Sequence, residues 1–300
     1  MTSTGLDAIA TNAGTFAVLA MDQRGTLKRM LAAVDLPDTT DEEIVAMKRD
    51  LIASLAGSPS AFLIDPTYGL PAAHQVQDAP PFGLLLAAEP GSRGTHLGEP
   101  TVTLDPAQDA AWVRESGADA MKFLAQVRAD RPVGDDGRDT TAEAREAMKA
   151  LVADCAEQGV PSIIENLIFA LAGEAPLSLG ARADAIIEAA VLIDDLKPSL
   201  LKLEYPGSPQ ACKRLASRLT VPWAVLSAGV SSDEFAQVLR ISCDEGGASG
   251  FIAGRSVWKE IVGMGHDERV AFLSDTGRRR MDEYVAILDG RARPYREAVA

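Results

Sequence analysis

Cysteine, histidine and aromatic residues are scarce in this chain, and basic residues are outnumbered by acidic ones. The 300 residues include three cysteines, with no CxxC spacing, and three histidines, with no HxH or HxxxH spacing. We therefore expect reduced thiols in a cytoplasmic protein, and a zinc enzyme is disfavoured because zinc sites need more imidazole or thiolate ligands. The formal net charge of −14 argues against a nucleic-acid partner, since phosphate backbones select basic surfaces.

Long apolar runs are also missing. No N-terminal apolar run follows a basic segment, and no stretch is long enough to cross a bilayer. We therefore expect neither a signal peptide nor a membrane partner. With 47% hydrophobic residues, the chain can still bury a large core.

What the chain does contain is a regular alternation of short β-rich runs and helical periodicity. Eight apolar runs occur, at 16–22, 61–65, 82–88, 118–124, 161–166, 199–205, 222–228 and 249–254. Amphipathic stretches separate them, so we predict parallel strands with helical crossovers and a single (β/α)8 barrel domain over residues 1–300. A doubly wound open sheet is the rival, but the first run leads into MDQRGTL, which lacks a GxGxxG fingerprint.

Polar residues near the C-terminal ends of barrel strands are catalytic candidates. Because side chains alternate along a strand, Lys202 in SLLKLEY shares a face with Glu204. Lys122 in ADAMKFL, Glu165 in PSIIEN and Asp22 at the end of the first run lie at the same end of the predicted barrel. Two lysines and several carboxylates are therefore predicted to meet there.

This arrangement suits Schiff-base chemistry. A lysine must be neutral to attack a carbonyl, and both burial and a neighbouring cation favour its neutral form. Lys202 is the predicted nucleophile, with Lys122 as the neighbouring cation. Glu165 or Asp22 would move protons. A structural ion pair of Lys202 with Glu204 or Glu165 is the alternative interpretation.

Small residues follow the seventh and eighth runs, in LSAGVSS and IAGRSVW. Loops at these two positions hold a phosphate in many barrels, so an anion site is predicted there. Its candidate residues are Ser227, Gly229, Gly254 and Arg255. Turn glycines are the alternative interpretation of this pattern.

Three further substrate-binding candidates stand at or just after the ends of the first two runs. They are Gln23, Arg24 and Asp65. For Asp65, which precedes Pro66, a helix cap or a turn is an equal alternative.

Two other functions stay open. Asp22, Asp65, Glu165 and Glu204 are possible magnesium ligands, because Mg²⁺ prefers carboxylate oxygens, and they would give a magnesium-dependent lyase on the same barrel. A non-catalytic phosphosugar-binding regulator is a hypothesis from a different class. The leading hypothesis, a metal-independent lyase, needs no cofactor.

Six motifs, in order, resemble a bacterial class I aldolase family that contains tagatose-1,6-bisphosphate aldolase and 6-deoxy-6-sulfofructose-1-phosphate aldolase. Between residues 14 and 262 they are LAMDQRGTL, FLIDPTYG, GADAMKFL, LLKLEYP, LSAGVS and GFIAGRSVW. The resemblance implies a Schiff-base (β/α)8 aldolase that splits a ketohexose phosphate into dihydroxyacetone phosphate and a three-carbon aldehyde. The expected partner is a sugar phosphate or sulfosugar phosphate, and a homo-oligomer is expected.

The resemblance also implies roles by position. It matches Lys202 to the Schiff-base lysine, Lys122 to a supporting lysine and Glu165 to the proton-transfer glutamate. The remaining matches are Asp22, the first-strand aspartate, and the anion-binding pair Gly254 and Arg255. The family commonly has proline after the strand-five glutamate, where this chain has Asn166, so the pocket is expected to differ there. The run GGASGFIAGRSVW resembles the sulfosugar branch and AMDQRG the tagatose branch, so both substrates stay open.

Overall fold

The chain folds around one closed barrel of parallel strands, as a computed structural model of residues 5–92 and 94–298 shows. Each strand pairs with its neighbours in the chain, and the last strand pairs with the first. The strands are β1 Phe16–Met21, β2 Ala61–Ile64, β3 Gly83–Ala87, β4 Ala120–Leu124, β5 Ser162–Asn166, β6 Leu200–Leu203, β7 Trp223–Val225 and β8 Gly250–Ala253. The predicted (β/α)8 barrel is confirmed.

Helices connect the strands and complete the outer layer. They are α1 Gly25–Ala32, α2 Asp41–Leu55, α3 Gly69–His74, α4 Ala110–Glu115, α5 Thr140–Gln158, α6 Leu179–Asp194, α7 Pro209–Ala216, α8 Ser232–Gly246, α9 Arg255–Trp258, α10 His266–Phe272, α11 Arg278–Leu288 and α12 Tyr295–Ala298. Short 3-10 turns occur at Leu6–Ala8 and Lys259–Ile261, and a π-helical turn at Leu273–Gly277. A small hairpin that the sequence did not predict, Thr95–His96 with Glu99–Pro100, follows β3.

Local sequence signals set the helix ends. At the start of α2, the Thr40 side chain accepts a hydrogen bond from the Glu43 N–H while the Glu43 carboxylate accepts one from the Thr40 N–H. This reciprocal capping box satisfies two backbone donors that the first turn leaves unpaired. Helix α5 ends at Gly159, whose φ of 69° is left-handed and suits glycine.

Alternation along the strands divides the core into two layers. In β1, Phe16, Val18 and Ala20 point into the barrel, while Ala17 and Leu19 pack against the helices. The N-terminal 3-10 turn closes the bottom of the barrel. The C-terminal ends of all eight strands meet at the opposite, open mouth.

Within the described ranges, no helix is long and apolar enough to cross a membrane.

Candidate active site

A cavity of about 450 Å³ opens at the C-terminal mouth of the barrel. Every predicted catalytic or substrate-binding residue except Asp65 lines it. Lys122, Glu165 and Lys202 reach it because they continue the interior faces of β4, β5 and β6. The period-two argument therefore correctly brought these three side chains together.

Lys122 is the centre of the charges in the cavity. Its Nζ lies 2.9 Å from an Asp22 oxygen and 2.7 Å from an oxygen of each of Glu89 and Glu165. These contacts account for all three donors of an ammonium group. Only 1% of Lys122 is exposed, and each of the three carboxylate side chains is 8% exposed, so the ion pairs are largely shielded from bulk water.

The pKa values in this cluster favour its charged form. Burial alone would lower the pKa of Lys122, but the charges of Asp22, Glu165 and Glu89 outweigh burial and hold that pKa well above its ordinary value. Burial would raise the pKa values of Asp22 and Glu165, yet the two lysines lower both below their ordinary range. Three carboxylates therefore balance the positive charge that Lys122, the predicted neighbouring cation, presents to Lys202.

Lys202 lies beside this cluster and contacts one of its carboxylates. Its Nζ is 3.0 Å from the Glu165 oxygen that also binds Lys122. The contact follows from strand pairing, since Glu165 on β5 stands opposite Lys202 on β6. Of the two ion-pair partners that the sequence suggested for Lys202, the structure selects Glu165.

Glu204 is drawn away from the cavity, contrary to its predicted position beside Lys202. Strand β6 ends at Leu203, and the Glu204 carboxylate accepts a hydrogen bond of 2.7 Å from the Ile168 N–H and pairs with Arg182. Burial raises the pKa of Glu204 above its ordinary value. The predicted alternation fails here because it holds only while the strand is paired.

Asp65 likewise does not line the cavity. Its fully buried carboxylate pairs with Lys48 and accepts hydrogen bonds from the N–H groups of Thr67, Tyr68 and Gly69. The turn alternative considered from the sequence is therefore correct. The four carboxylates proposed for magnesium do not converge, since Asp65 and Glu204 face other partners. Across residues 5–92 and 94–298, no group of three or more His, Cys, Asp or Glu is arranged to hold a metal ion.

Glu89 is a site residue that the sequence analysis missed. It follows β3 and is buried, and its carboxylate binds Lys122 and accepts a hydrogen bond of 3.2 Å from the Leu124 N–H. The alternation of side chains along the strand could have indicated Glu89, because this residue continues the interior face of Leu85 and Ala87. Its backbone carbonyl also accepts a hydrogen bond of 2.7 Å from Arg24, which aligns that guanidinium along the cavity wall.

The predicted anion site forms part of the same cavity. After β7 the chain turns at Ala228 and Gly229, whose φ angles are 48° and 83°. The Arg255 guanidinium packs on Gly229 so closely that a Cβ there would lie 3.0 Å from its Cζ atom. Glycine at this position therefore lets Arg255 lie against the loop, with Gly254 beside it.

The opposite flank of β1 adds further cationic and polar groups. Arg24 and Arg29 line the cavity, and Gln23 donates a hydrogen bond of 3.2 Å to Asp22. Within the described part of the chain, the buried Gln23 Oε1 atom has no hydrogen-bond partner.

Asn166, which stands where proline was expected, has a structural explanation. Its side-chain amide accepts a hydrogen bond of 2.7 Å from the Val127 N–H and donates one of 3.1 Å to the Val127 carbonyl. This amide mimics a strand partner and extends the contact between β4 and β5 beyond their paired ends. Asn166 thus orders the loop after β4 and does not line the cavity.

Comparison with known sequences identifies related proteins. Residues 16–260 match the sequence profile described as DeoC/LacD family aldolase. A protein from Streptococcus pyogenes serotype M3 named tagatose 1,6-diphosphate aldolase 2 is 28% identical over 314 residues, covering 95% of this chain and 94% of that protein. A protein of the same name from Enterococcus faecalis is 29% identical over 308 residues, covering 92% and 90%.

Comparison with solved structures supports the fold. An archaeal fructose 1,6-bisphosphate aldolase superposes with a TM-score of 0.65 at 17% identity, covering 95% of this chain and 98% of that one. A structure described as a Schiff-base-forming fructose-1,6-bisphosphate aldolase gives 0.61 at 15% identity, covering 94% and 98%. At such identities the likeness concerns the barrel alone.

Proposed function

The chain belongs to the DeoC/LacD aldolase family, and we propose that it is a class I aldolase that uses Lys202 to form a Schiff base. Its substrate is a ketohexose phosphate, and its products are dihydroxyacetone phosphate and a three-carbon aldehyde. We further propose that residues 1–300 act as one catalytic domain, although 1–4, 93, 299 and 300 lie outside the described residues.

The observation that carries this proposal is the unequal environment of two buried lysines in one cavity. Lys122 uses its three donors on carboxylates and has a raised pKa, so it stays charged and has no lone pair with which to attack. Lys202 lies 3.0 Å from one oxygen of Glu165, which it shares with Lys122, and this carboxylate would carry protons during the reaction. This difference supports Lys202 as the nucleophile and Lys122 as the supporting cation.

The residues around Lys202 suit each step of an aldol cleavage. Its neutral amine adds to the substrate C2 carbonyl, and Glu165 gives a proton to the carbinolamine hydroxyl, which leaves as water. The resulting iminium accepts the electron pair of the C3–C4 bond as the C4 hydroxyl loses its proton to a carboxylate. The aldehyde departs, the enamine is protonated at C3, and water releases dihydroxyacetone phosphate and the free amine.

The two cationic flanks of the cavity suit a substrate with an anion at each end. Arg255 and the loop from Ser227 to Gly229 would bind the phosphate next to the ketone. Gln23 and Arg24 would bind the far end. A cavity of about 450 Å³ is within the usual range for small-molecule sites.

The relatives named tagatose 1,6-diphosphate aldolase favour tagatose 1,6-bisphosphate, and its C4 epimer, fructose 1,6-bisphosphate, is tested beside it. The run GGASGFIAGRSVW, which resembles the sulfosugar branch, supports 6-deoxy-6-sulfofructose 1-phosphate as the second candidate. A sulfonate and a phosphate each present three oxygens, so an arginine-lined flank accepts both. The expected homo-oligomer stays a prediction, which light scattering of the purified chain tests.

A substrate panel with borohydride trapping tests the proposal. Tagatose and fructose bisphosphates and the sulfosugar phosphate are each assayed for dihydroxyacetone phosphate, and borohydride is added during turnover. We expect mass spectrometry to find the reduced adduct on Lys202. The Lys202→Met variant should fold, cleave nothing and trap nothing, while the exposed-site control Lys213→Met behaves as wild type.

Other outcomes would redirect the assignment. An adduct on Lys122 would move the nucleophile to β4. Turnover without any adduct, abolished by a chelator, would favour the magnesium-dependent lyase. Ligand binding without release of triose phosphate from any sugar in the panel would favour the regulator.

A further inference from the structure

Helix α2 carries a buried lysine that the reaction does not use. Lys48 lies on the apolar stripe formed by Ile44, Leu51 and Leu55, and only 1% of it is exposed. Its Nζ donates hydrogen bonds of 2.7 Å to the Met21 carbonyl and 3.0 Å to the Gln23 carbonyl, and it pairs with Asp65. All three donors of this ammonium group are therefore satisfied.

Asp65 fixes the position of this ammonium group. Its carboxylate is itself immobilised, because it accepts hydrogen bonds of 3.0, 2.8 and 3.2 Å from the N–H groups of Thr67, Tyr68 and Gly69. Helix α3 begins at Gly69, where an added Cβ would lie 2.6 Å from that of Ile64. The turn after β2 thus closes tightly around Asp65 and holds it against Lys48.

The two carbonyls that Lys48 binds belong to the residues on either side of Asp22. Strand β1 ends at Met21, so the chain at Asp22 and Gln23 lies beyond the paired part of the barrel. On the cavity side, the Asp22 carboxylate binds Lys122 at 2.9 Å. The position of Asp22 is therefore restrained on the helix side through the backbone carbonyls that flank it, and on the cavity side through its carboxylate.

We propose that Lys48, held by Asp65, is a positioning residue for the aldol reaction, which fixes Asp22 through the two backbone carbonyls that flank it. The inference rests on the proposed function, because Asp22 matters to catalysis only if the cavity performs the cleavage. Burying an ion pair is a poor route to stability, since well-packed apolar residues often serve as well. Two hydrogen bonds to the carbonyls on either side of Asp22, made by an ammonium group that Asp65 fixes, instead suit accurate placement of a side chain in the site.

Steady-state kinetics of Lys48→Met test the proposal against a matched control. Leu51→Ala is the control, because Leu51 is fully buried on the same face of α2 and its apolar side chain has no donor for the carbonyls around Asp22. Both variants should unfold at a lower temperature than wild type. At 25 °C, Lys48→Met should lower kcat about ten- to a hundredfold with little change in KM, as misplacement of a catalytic group does, while Leu51→Ala should keep kcat.

A double-mutant cycle then asks whether Lys48 acts through Asp22. Asp22→Asn removes the carboxylate charge without changing its shape, and its residual single-turnover rate is measured with excess enzyme. In that background Lys48→Met should lower the rate less than about threefold, because the group that it positions is already lost. Independent losses that multiply, or a kcat for Lys48→Met equal to that of Leu51→Ala, would overturn the proposal.

A replacement variant and a second measurement cover two cases, a variant that does not fold and a wild type that is inactive. If Lys48→Met does not fold, Lys48→Gln takes its place, since an amide retains a donor at similar volume and carries the same expectations. If the wild type cleaves no ketose phosphate, the proposed function fails. Amide hydrogen exchange then tests separately whether Lys48 restrains the backbone at the end of β1. Faster exchange confined to residues 22–25 in Lys48→Met would support that restraint, and unchanged exchange there would refute it.

Discussion

Replacing Lys122 with methionine should make the stability of the fold depend on pH in a direction that the wild type does not show. In the wild type, this ammonium group binds the carboxylates of Asp22, Glu89 and Glu165, and it is 1% exposed. Without it, each carboxylate keeps one weaker partner. Glu165 retains Lys202 at 3.0 Å, Glu89 the Leu124 N–H at 3.2 Å, and Asp22 the Gln23 amide at 3.2 Å.

The magnitude follows from this loss of compensation. Removing one partner of a buried ion pair costs about 3–5 kcal/mol. The variant can limit that cost by protonating a carboxyl, which requires about 1.4 kcal/mol for each pH unit above an unfolded pKa of about 4. Protonating one carboxyl in the folded variant therefore sets an upper limit on the destabilisation. This limit is near 5.5 kcal/mol at pH 8 and near 1.4 kcal/mol at pH 5.

The sign of the pH dependence reverses between the two proteins. In the wild type, the lysines lower the pKa values of Asp22 and Glu165. The two ionised carboxylates therefore contribute fully to stability above about pH 4, and this contribution is lost only as pH falls through their pKa values in the folded state. In the variant, burial without Lys122 raises the pKa of these carboxyls. The folded state then holds a proton that the unfolded state releases, so the free energy of unfolding falls as pH rises from 5 to 8.

Urea unfolding followed by tryptophan fluorescence at pH 5, 6, 7 and 8 measures this effect. The control is Lys213→Met, whose side chain is 66% exposed in its pair with Glu245 and should matter by less than about 1 kcal/mol. A Lys122→Met protein as stable as wild type at pH 8 would refute the reasoning. Destabilisation that does not change with pH would also refute it, because the three carboxyls would then not be ionised as described.

Two further predictions concern the anion site and the thiols. Arg255→Ala should raise KM about ten- to a hundredfold and leave kcat unchanged, because a charged hydrogen-bonding contact contributes about 1.5–3 kcal/mol; an unchanged KM in the folded variant would locate the phosphate elsewhere. Burial raises the pKa of Cys155, Cys212 and Cys243 to about 12 each. A disulfide reagent at pH 8 should therefore label all three only in urea, and rapid labelling of the native chain would contradict their burial.

The barrel and much of the site could be predicted from the sequence because both depend on periodicity. Short apolar runs gave the strands, and the alternation of side chains along a strand put Lys122 and Lys202 on interior faces. It also continues to Glu89, two residues after Ala87, although the predicted run stopped short of it. The burial of Lys48 could also have been predicted, since it falls on the apolar stripe of α2 four residues after Ile44.

Prediction failed where strands end, for a physical reason. Asp65 and Glu204 continue the interior alternation of β2 and β6, yet neither faces the cavity. Beyond the last paired residue the backbone is free to turn, so the nearest unsatisfied N–H group or cation decides where a carboxylate points. For Asp65 those partners are three N–H groups and Lys48, and no local pattern shows that a helix lysine will reach them.

The same dependence on neighbours explains how two lysines at one depth acquire different chemistry. Lys122 and Lys202 lie on strands that flank β5, and both contact one oxygen of Glu165. Lys122 also faces Asp22 and Glu89, whereas in residues 5–92 and 94–298 Glu165 is the carboxylate within ion-pair distance of Lys202. A lysine with three carboxylate partners is held as a cation, whereas Lys202, which shares one oxygen of Glu165 with Lys122, is paired less completely. On our proposal, the number of carboxylates supplied by the neighbouring strands therefore decides which amine attacks the substrate.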